Sequence, residues 1–98
     1  MSVVFTRVAT PLPGRLGDAA KFMRERADAL KSTYSIDVAL NARFGGPVGQ
    51  MGLVSYHDSL ADLEDIRRKI ITDVGAGKLP TPDAGVFAHS DDAIWLKL

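Results

Sequence analysis

The chain has 98 residues, twelve of them basic and twelve acidic, for a formal net charge of zero. That length supports one domain, burying roughly two-thirds of its unfolded surface, and a neutral balance gives no general field to hold a phosphate backbone or an anionic bilayer. There is no cysteine, so disulfide scaffolds, thiolate nucleophiles and zinc–cysteine sites are excluded.

The densest basic cluster, Arg67-Arg68-Lys69, lies among Asp62, Glu64 and Asp65, and no nucleic-acid partner is expected of it. Met1 to Arg7 lacks the charged start and apolar core of a signal peptide. No apolar run approaches the ~20 residues of a membrane span. The expectation is a soluble, cytoplasmic protein.

Val3 to Ala9 is short and rich in β-branched residues, which predicts a strand; Pro11, Pro13 and Gly14 end it. Asp18 is the expected N-cap of a helix. In that helix Ala19, Phe22, Met23, Arg26/Ala27 and Leu30 recur at helical spacing, Lys21/Glu25 and Arg24/Asp28 sit four apart on the wet face, and the end falls near Lys31 to Thr33. The next strand, over 36–44, alternates strictly. Ile36, Val38, Leu40, Ala42 and Phe44 take one face, and Asp37, Ala39, Asn41 and Arg43 take the other.

Gly45-Gly46-Pro47-Val48-Gly49 reverses the chain, and 49–57 returns antiparallel, with Gly52 marking a bulge or a close approach by another group. Ser59 with Asp62 resembles a capping box. Leu60, Leu63, Ile66, Ile70 and Val74 then form an apolar stripe widened by Ile71, with Glu64/Arg68 and Asp65/Lys69 as i,i+4 pairs. Gly75 and Gly77 stop this helix, and the loop over 75–85 is long enough to act as a flap. A short extended piece is expected over 85–90. His89-Ser90-Asp91-Asp92 reads as a loop or turn, because neighbours along an extended chain diverge and cannot form a hydrolase relay. From Ala93 to Leu98 alternation resumes, with Ile94, Leu96 and Leu98 opposite Trp95 and Lys97.

The order βαββαβ defines an α+β, ferredoxin-like sandwich spanning residues 1–98 as one domain. Both helices cover one sheet face, and an open face with apolar members calls for a partner sheet. A second copy is the simplest partner, so a homodimer with facing sheets and a cavity between them is expected.

Arg43 and Asn41 share that open side and, with Arg7, are candidates to hold a ligand carboxylate or carbonyl through planar donors. The alternative is a dimer contact or solvent at the rim. Tyr56 and His57 are neighbours on a strand and face opposite ways, so one of them enters the cavity. A histidine there suits proton transfer near neutrality, and the alternative is a hydrogen bond to the next turn. Trp95 stacks on a flat ligand or anchors the dimer. His57, Asp58 and His89 lack ligand spacing, so no metal is expected. The hairpin glycines do not open a helix, so no phosphate cradle is expected.

Gly45-Gly46-Pro47-Val48-Gly49, Gly52-Leu53-Val54-Ser55, Asp58-Ser59-Leu60-Ala61-Asp62-Leu63-Glu64 and Asp92-Ala93-Ile94-Trp95 together resemble the NIPSNAP-related branch of the dimeric α/β-barrel superfamily. The resemblance implies a homodimer in which each protomer contributes a βαββαβ sheet to a barrel. It also implies relatives that include cofactorless oxygenases, haem-degrading enzymes, small-ring isomerases and ligand binders. It carries no functional residue onto a position here. Two functional expectations follow. One is a binder or enzyme, of cofactorless oxygenase or isomerase type, acting on a small, largely apolar organic molecule. The other is a non-catalytic homodimeric stress or assembly module.

Overall fold

β1 (Val3–Pro11) is an inner strand, pairing antiparallel with β3 (Met51–His57) on one side and β4 (Phe87–Leu96) on the other. β2 (Asp37–Ala42) completes the sheet on the far side of β3, for an order β2-β3-β1-β4. α1 (Leu16–Tyr34) links β1 to β2, and α2 (Leu60–Gly75) links β3 to β4. The computed structural model describes residues 2–43, 45 and 49–98. Phe44 and the centre of the expected glycine-rich turn lie outside the described residues.

The register divides the sheet into two chemically different faces. Rows such as Val38–Ser55–Phe5–Ile94 and Leu40–Leu53–Arg7–Asp92 point one way. The intervening rows, Ala39–Val54–Thr6–Ala93 and Asp37–Tyr56–Val4–Trp95, point the other. Both helices lie against the first set. On α1 the buried stripe is Ala19, Met23, Ala27 and Leu30, where the alanines let the helix approach closely and the larger residues each contribute roughly 1.5–3 kcal/mol on leaving water. Ala9, Ile36, Val38, Met51, Leu53 and Val86 complete this core. Phe22 meets Phe87 edge-on with centroids 5.8 Å apart, seating the start of β4 against α1. α2 is held more lightly: Leu63 is its one buried residue, Ile66 and Ile70 are half-buried, and Ile71 is 68% exposed.

Several local expectations are corrected. Asp18 does not cap α1. The Arg15 N–H bonds to the Leu12 carbonyl at 3.0 Å across a turn in which Gly14 has φ +80°, so the helix already begins at Leu16. Asp18 instead sits in the first turn and accepts from Arg15 Nε at 2.9 Å. The helix also runs beyond Thr33 to Tyr34, ending at Ser35 in the left-handed region with φ 55°. Residues 89–92 are strand, not loop. β4 pairs with β1 from Leu96 opposite Val3 to His89 opposite Thr10, and the long partner strand supplies ladder bonds through the polar run. Gly52 makes no bulge, since the β1–β3 register is unbroken from Val3↔His57 to Ala9↔Met51. The Ser59 cap forms as expected, with its hydroxyl accepting from the Asp62 N–H at 3.1 Å. The loop after α2 is pinned by buried Leu79 and Val86, and by Arg26 Nη2 donating to the Pro80 carbonyl at 2.9 Å.

Candidate ligand cleft

Because α2 rests on the sheet through so few buried residues, a cleft of about 160 Å³ remains between the two helices and the strands. β1 supplies Phe5 and Arg7 two residues apart on one face, and β3 supplies Ser55 and His57 in the same relation. α1 presents Arg26 and Leu30 one turn apart, and α2 presents Ile66, Arg67 and Ile70. A neighbouring cavity of about 270 Å³ shares Arg7, Arg26 and Leu53 and extends toward Pro82 and Phe87.

The polar groups fall into two sets. Arg7 donates from Nε and Nη2 to the two carboxylate oxygens of Asp92, at 2.8 and 2.9 Å. This bidentate bond raises the Arg7 pKa and holds the Asp92 carboxyl below its ordinary range, with the Arg67 charge acting in the same direction on Asp92. Arg7 and Arg67 both approach the Phe5 ring, at 5.7 and 5.8 Å from its centroid. Arg26, over the Phe22 ring at 5.4 Å, has its pKa lowered by burial first and then by the Arg7 charge. Its Nε is buried and meets no acceptor among the described residues.

The second set is Ser55 and His57. Ser55, the one buried polar residue among those described, places Oγ 2.8 Å from His57 Nε2. Burial lowers the His57 pKa, while Asp62 and Asp58 pull it the other way. The imidazole is therefore neutral at pH 7 and able both to accept a proton and to donate one.

The residues singled out in the sequence divide between the two faces. His57 and Arg7 line the cleft. Tyr56, Asn41 and Trp95 belong to the opposite side and Arg43 lies just beyond the end of β2, so Tyr56 and His57 do not meet across one ligand, and Arg7 does not join Asn41. The reason is strand parity: Val3, Phe5, Arg7 and Ala9 alternate with Val4, Thr6 and Val8. Arg43 binds its own hairpin, donating from Nε to the Gly45 carbonyl and from Nη1 to Gln50 Oε1, both at 2.6 Å. Asn41 is exposed opposite Gly52, where an added Cβ would meet no heavy atom within 4 Å. Trp95 is 62% exposed and donates from Nε1 to Thr6 Oγ1 at 3.3 Å.

Sequence reasoning does not single out Arg26, Arg67, Ser55 or Asp92 as site residues. Arg26 carries a signal, since it falls inside the apolar stripe of its helix, four residues after Phe22 and four before Leu30. Ser55 carries one too, two residues before His57 on the same strand.

No protein-family model matches the chain, and no curated protein matches it. Solved structures do. A NIPSNAP family protein from Agrobacterium tumefaciens strain C58 aligns with a TM-score of 0.79 at 19% identity, over 100% of this chain and 94% of that one. An uncharacterised NIPSNAP domain protein from Burkholderia xenovorans also gives 0.79, at 10% identity over 98% and 94% of the two chains. A NIPSNAP-like domain protein from the same organism gives 0.73 at 15% identity, over 99% and 85%. With the strand order β2-β3-β1-β4 and two helices on one sheet face, the chain is NIPSNAP-like in fold, a ferredoxin-like α+β protein.

Proposed function

We propose that this protein binds, and transforms, a small and largely apolar organic molecule in the cleft between its helices and its sheet, and that it works as a homodimer joined through the open sheet faces. One observation carries the reading: a neutral histidine hydrogen-bonded to a buried serine converges with three guanidinium groups on an otherwise apolar cleft. In this reading His57 takes a proton from a carbon next to a carbonyl. The electron pair moves onto the carbonyl oxygen beside the arginines, and the imidazolium returns the proton elsewhere on the molecule. That sequence is an isomerisation needing no resident cofactor. A cofactorless oxygenation would begin with the same deprotonation and use dioxygen as co-reactant.

The second reading, a non-catalytic module used only for association, is favoured by Trp95 and Tyr56, which stand exposed in one row of the open face with Val4 between them. Native mass spectrometry of protein taken directly from cells discriminates the two. A retained organic mass on a dimer, lost in a variant with Leu53→Trp filling the cleft, supports the first reading. A ligand-free dimer whose partners are unaffected by Leu53→Trp supports the second.

A further inference from the structure

Apart from His57, the titratable residues lining the cleft are all basic. Three guanidinium groups line it, from Arg7, Arg26 and Arg67. Asp92 answers Arg7 through both carboxylate oxygens. Among the described residues neither Arg26 nor Arg67 has an ion-pair partner. Arg26 spends Nη2 on the Pro80 carbonyl and keeps a buried Nε without an acceptor. A buried donor left unbonded is costly, and native structures nearly always give it a partner, whether protein, water or ligand. Arg67, from α2, is held over the Phe5 ring, while Arg26 reaches the cleft from α1.

We infer that the ligand of this cleft is an organic carboxylate with a body about the size of one aromatic ring, its carboxylate held by Arg26 and Arg67 and its body lying against Phe5, Leu30 and Ile66. This rests on the small-molecule reading above and specifies it. The planar fork of arginine matches a planar carboxylate. An apolar cavity of ~150 Å³ accepts benzene, and the cleft here is about 160 Å³. The apolar walls suit such a body and give a bare inorganic anion nothing to pack against.

The test is titration of the isotope-labelled protein with sodium benzoate, benzamide and inorganic phosphate, followed by amide chemical shifts. Saturable benzoate shifts clustered at Phe5, Ser55 and Ile66, with benzamide at least tenfold weaker and phosphate failing to compete, are expected. Arg26→Met and Arg67→Met should each weaken benzoate about tenfold and leave benzamide unchanged, which a merely structural loss would not do. Arg26→Lys should restore part of the benzoate affinity. Equal binding of benzoate and benzamide in the cleft overturns the carboxylate assignment while leaving small-molecule binding standing. Phosphate competing as well as benzoate overturns the ring-sized body. No cleft shifts with any of the three overturns both this inference and the reading beneath it.

Discussion

Arg7 on β1 and Asp92 on β4 are directly opposite in the strand register, and their side chains close a two-bond fork over the helix-covered face. The pair is about one-third exposed, so it lies between surface pairs worth about 0–1 kcal/mol and buried ones that cost roughly 3–5 when broken. We expect Asp92→Asn to destabilise by about 1–2 kcal/mol at pH 7. The pH dependence has a definite sign. The folded pKa of Asp92 is depressed, so the unfolded chain binds the proton more readily. The pair's contribution is therefore complete above the unfolded value of about 3.9 and lost as pH falls through the folded one. Urea unfolding of both proteins at pH 7 and pH 3 should show the gap between them narrowing in acid.

The unequal seating of the two helices predicts unequal mutational costs. Leu30 is a buried member of the α1 core, and Leu30→Ala should cost about 2–4 kcal/mol through lost transfer energy and the cavity left behind. Ile71→Ala, at a position 68% exposed, should fall within about 0.5 kcal/mol of the parent. A large loss at Ile71 in denaturant titrations would mean that α2 is packed more deeply than its burial indicates.

Ile71 also marks where the sequence stops being informative. Helical periodicity gives the direction of a side chain on its own helix, but not the height at which that helix rides on the sheet. For α1 the two agree, because small Ala19 and Ala27 stand beside Met23 and Leu30. For α2 they diverge, and the space left there is the cleft. Strand periodicity assigns the two faces of β2 correctly, since parity is a local property. Placing Arg7 relative to Asn41 requires the registers of β1 with β3 and of β3 with β2, which are non-local. The β4 boundary escapes a local reading for the same reason. His89-Ser90-Asp91-Asp92 is a poor strand by composition, and its ladder is imposed by β1.

Tyr34, at the end of α1, donates its phenolic hydrogen bond to Asp73 near the end of α2 and so ties the two helices at their C-terminal ends. Its pKa is pushed up to about 12, chiefly by burial and then by this bond. A raised folded pKa means that the associated stability is present below the unfolded value of about 10 and is lost as pH rises through about 12. Tyr34→Phe should cost about 1 kcal/mol at neutral pH. In ultraviolet titration it should also remove the phenol that ionises last.

His57 offers a direct check on the proton-transfer role. Its folded pKa is below the ordinary value of about 6.5 because of burial, against the opposing pull of Asp62 and Asp58. Removing one of those carboxylates with Asp62→Asn should lower it further, as read from imidazole proton shifts across about pH 4 to 8. The depressed value means that the neutral ring's contribution is intact above about 6.5 and lost as pH falls toward the folded pKa. An unchanged or raised value in Asp62→Asn would contradict the electrostatics assigned to the cleft.

The open face supplies the last prediction. Val4, Thr6, Val8, Ala39, Val54, Tyr56, Ala93 and Trp95 share it by register, with Asp37, Asn41 and Asp91 on its two edge strands, and the helices leave it uncovered. Placing a second copy's sheet against it buries the exposed aromatics and leaves the helix-side cleft of each protomer untouched. Size-exclusion chromatography with light scattering should therefore give a dimer mass at micromolar concentration. Trp95→Glu should convert it to monomer, because a carboxylate set among these apolar side chains would be desolvated with no partner. The monomeric variant should keep its helix content and its cleft chemistry, including the depressed His57 pKa. A parent protein that runs as a clean monomer at that concentration would refute the facing-sheet arrangement, and a Trp95→Glu variant that remains dimeric would move the interface to another surface.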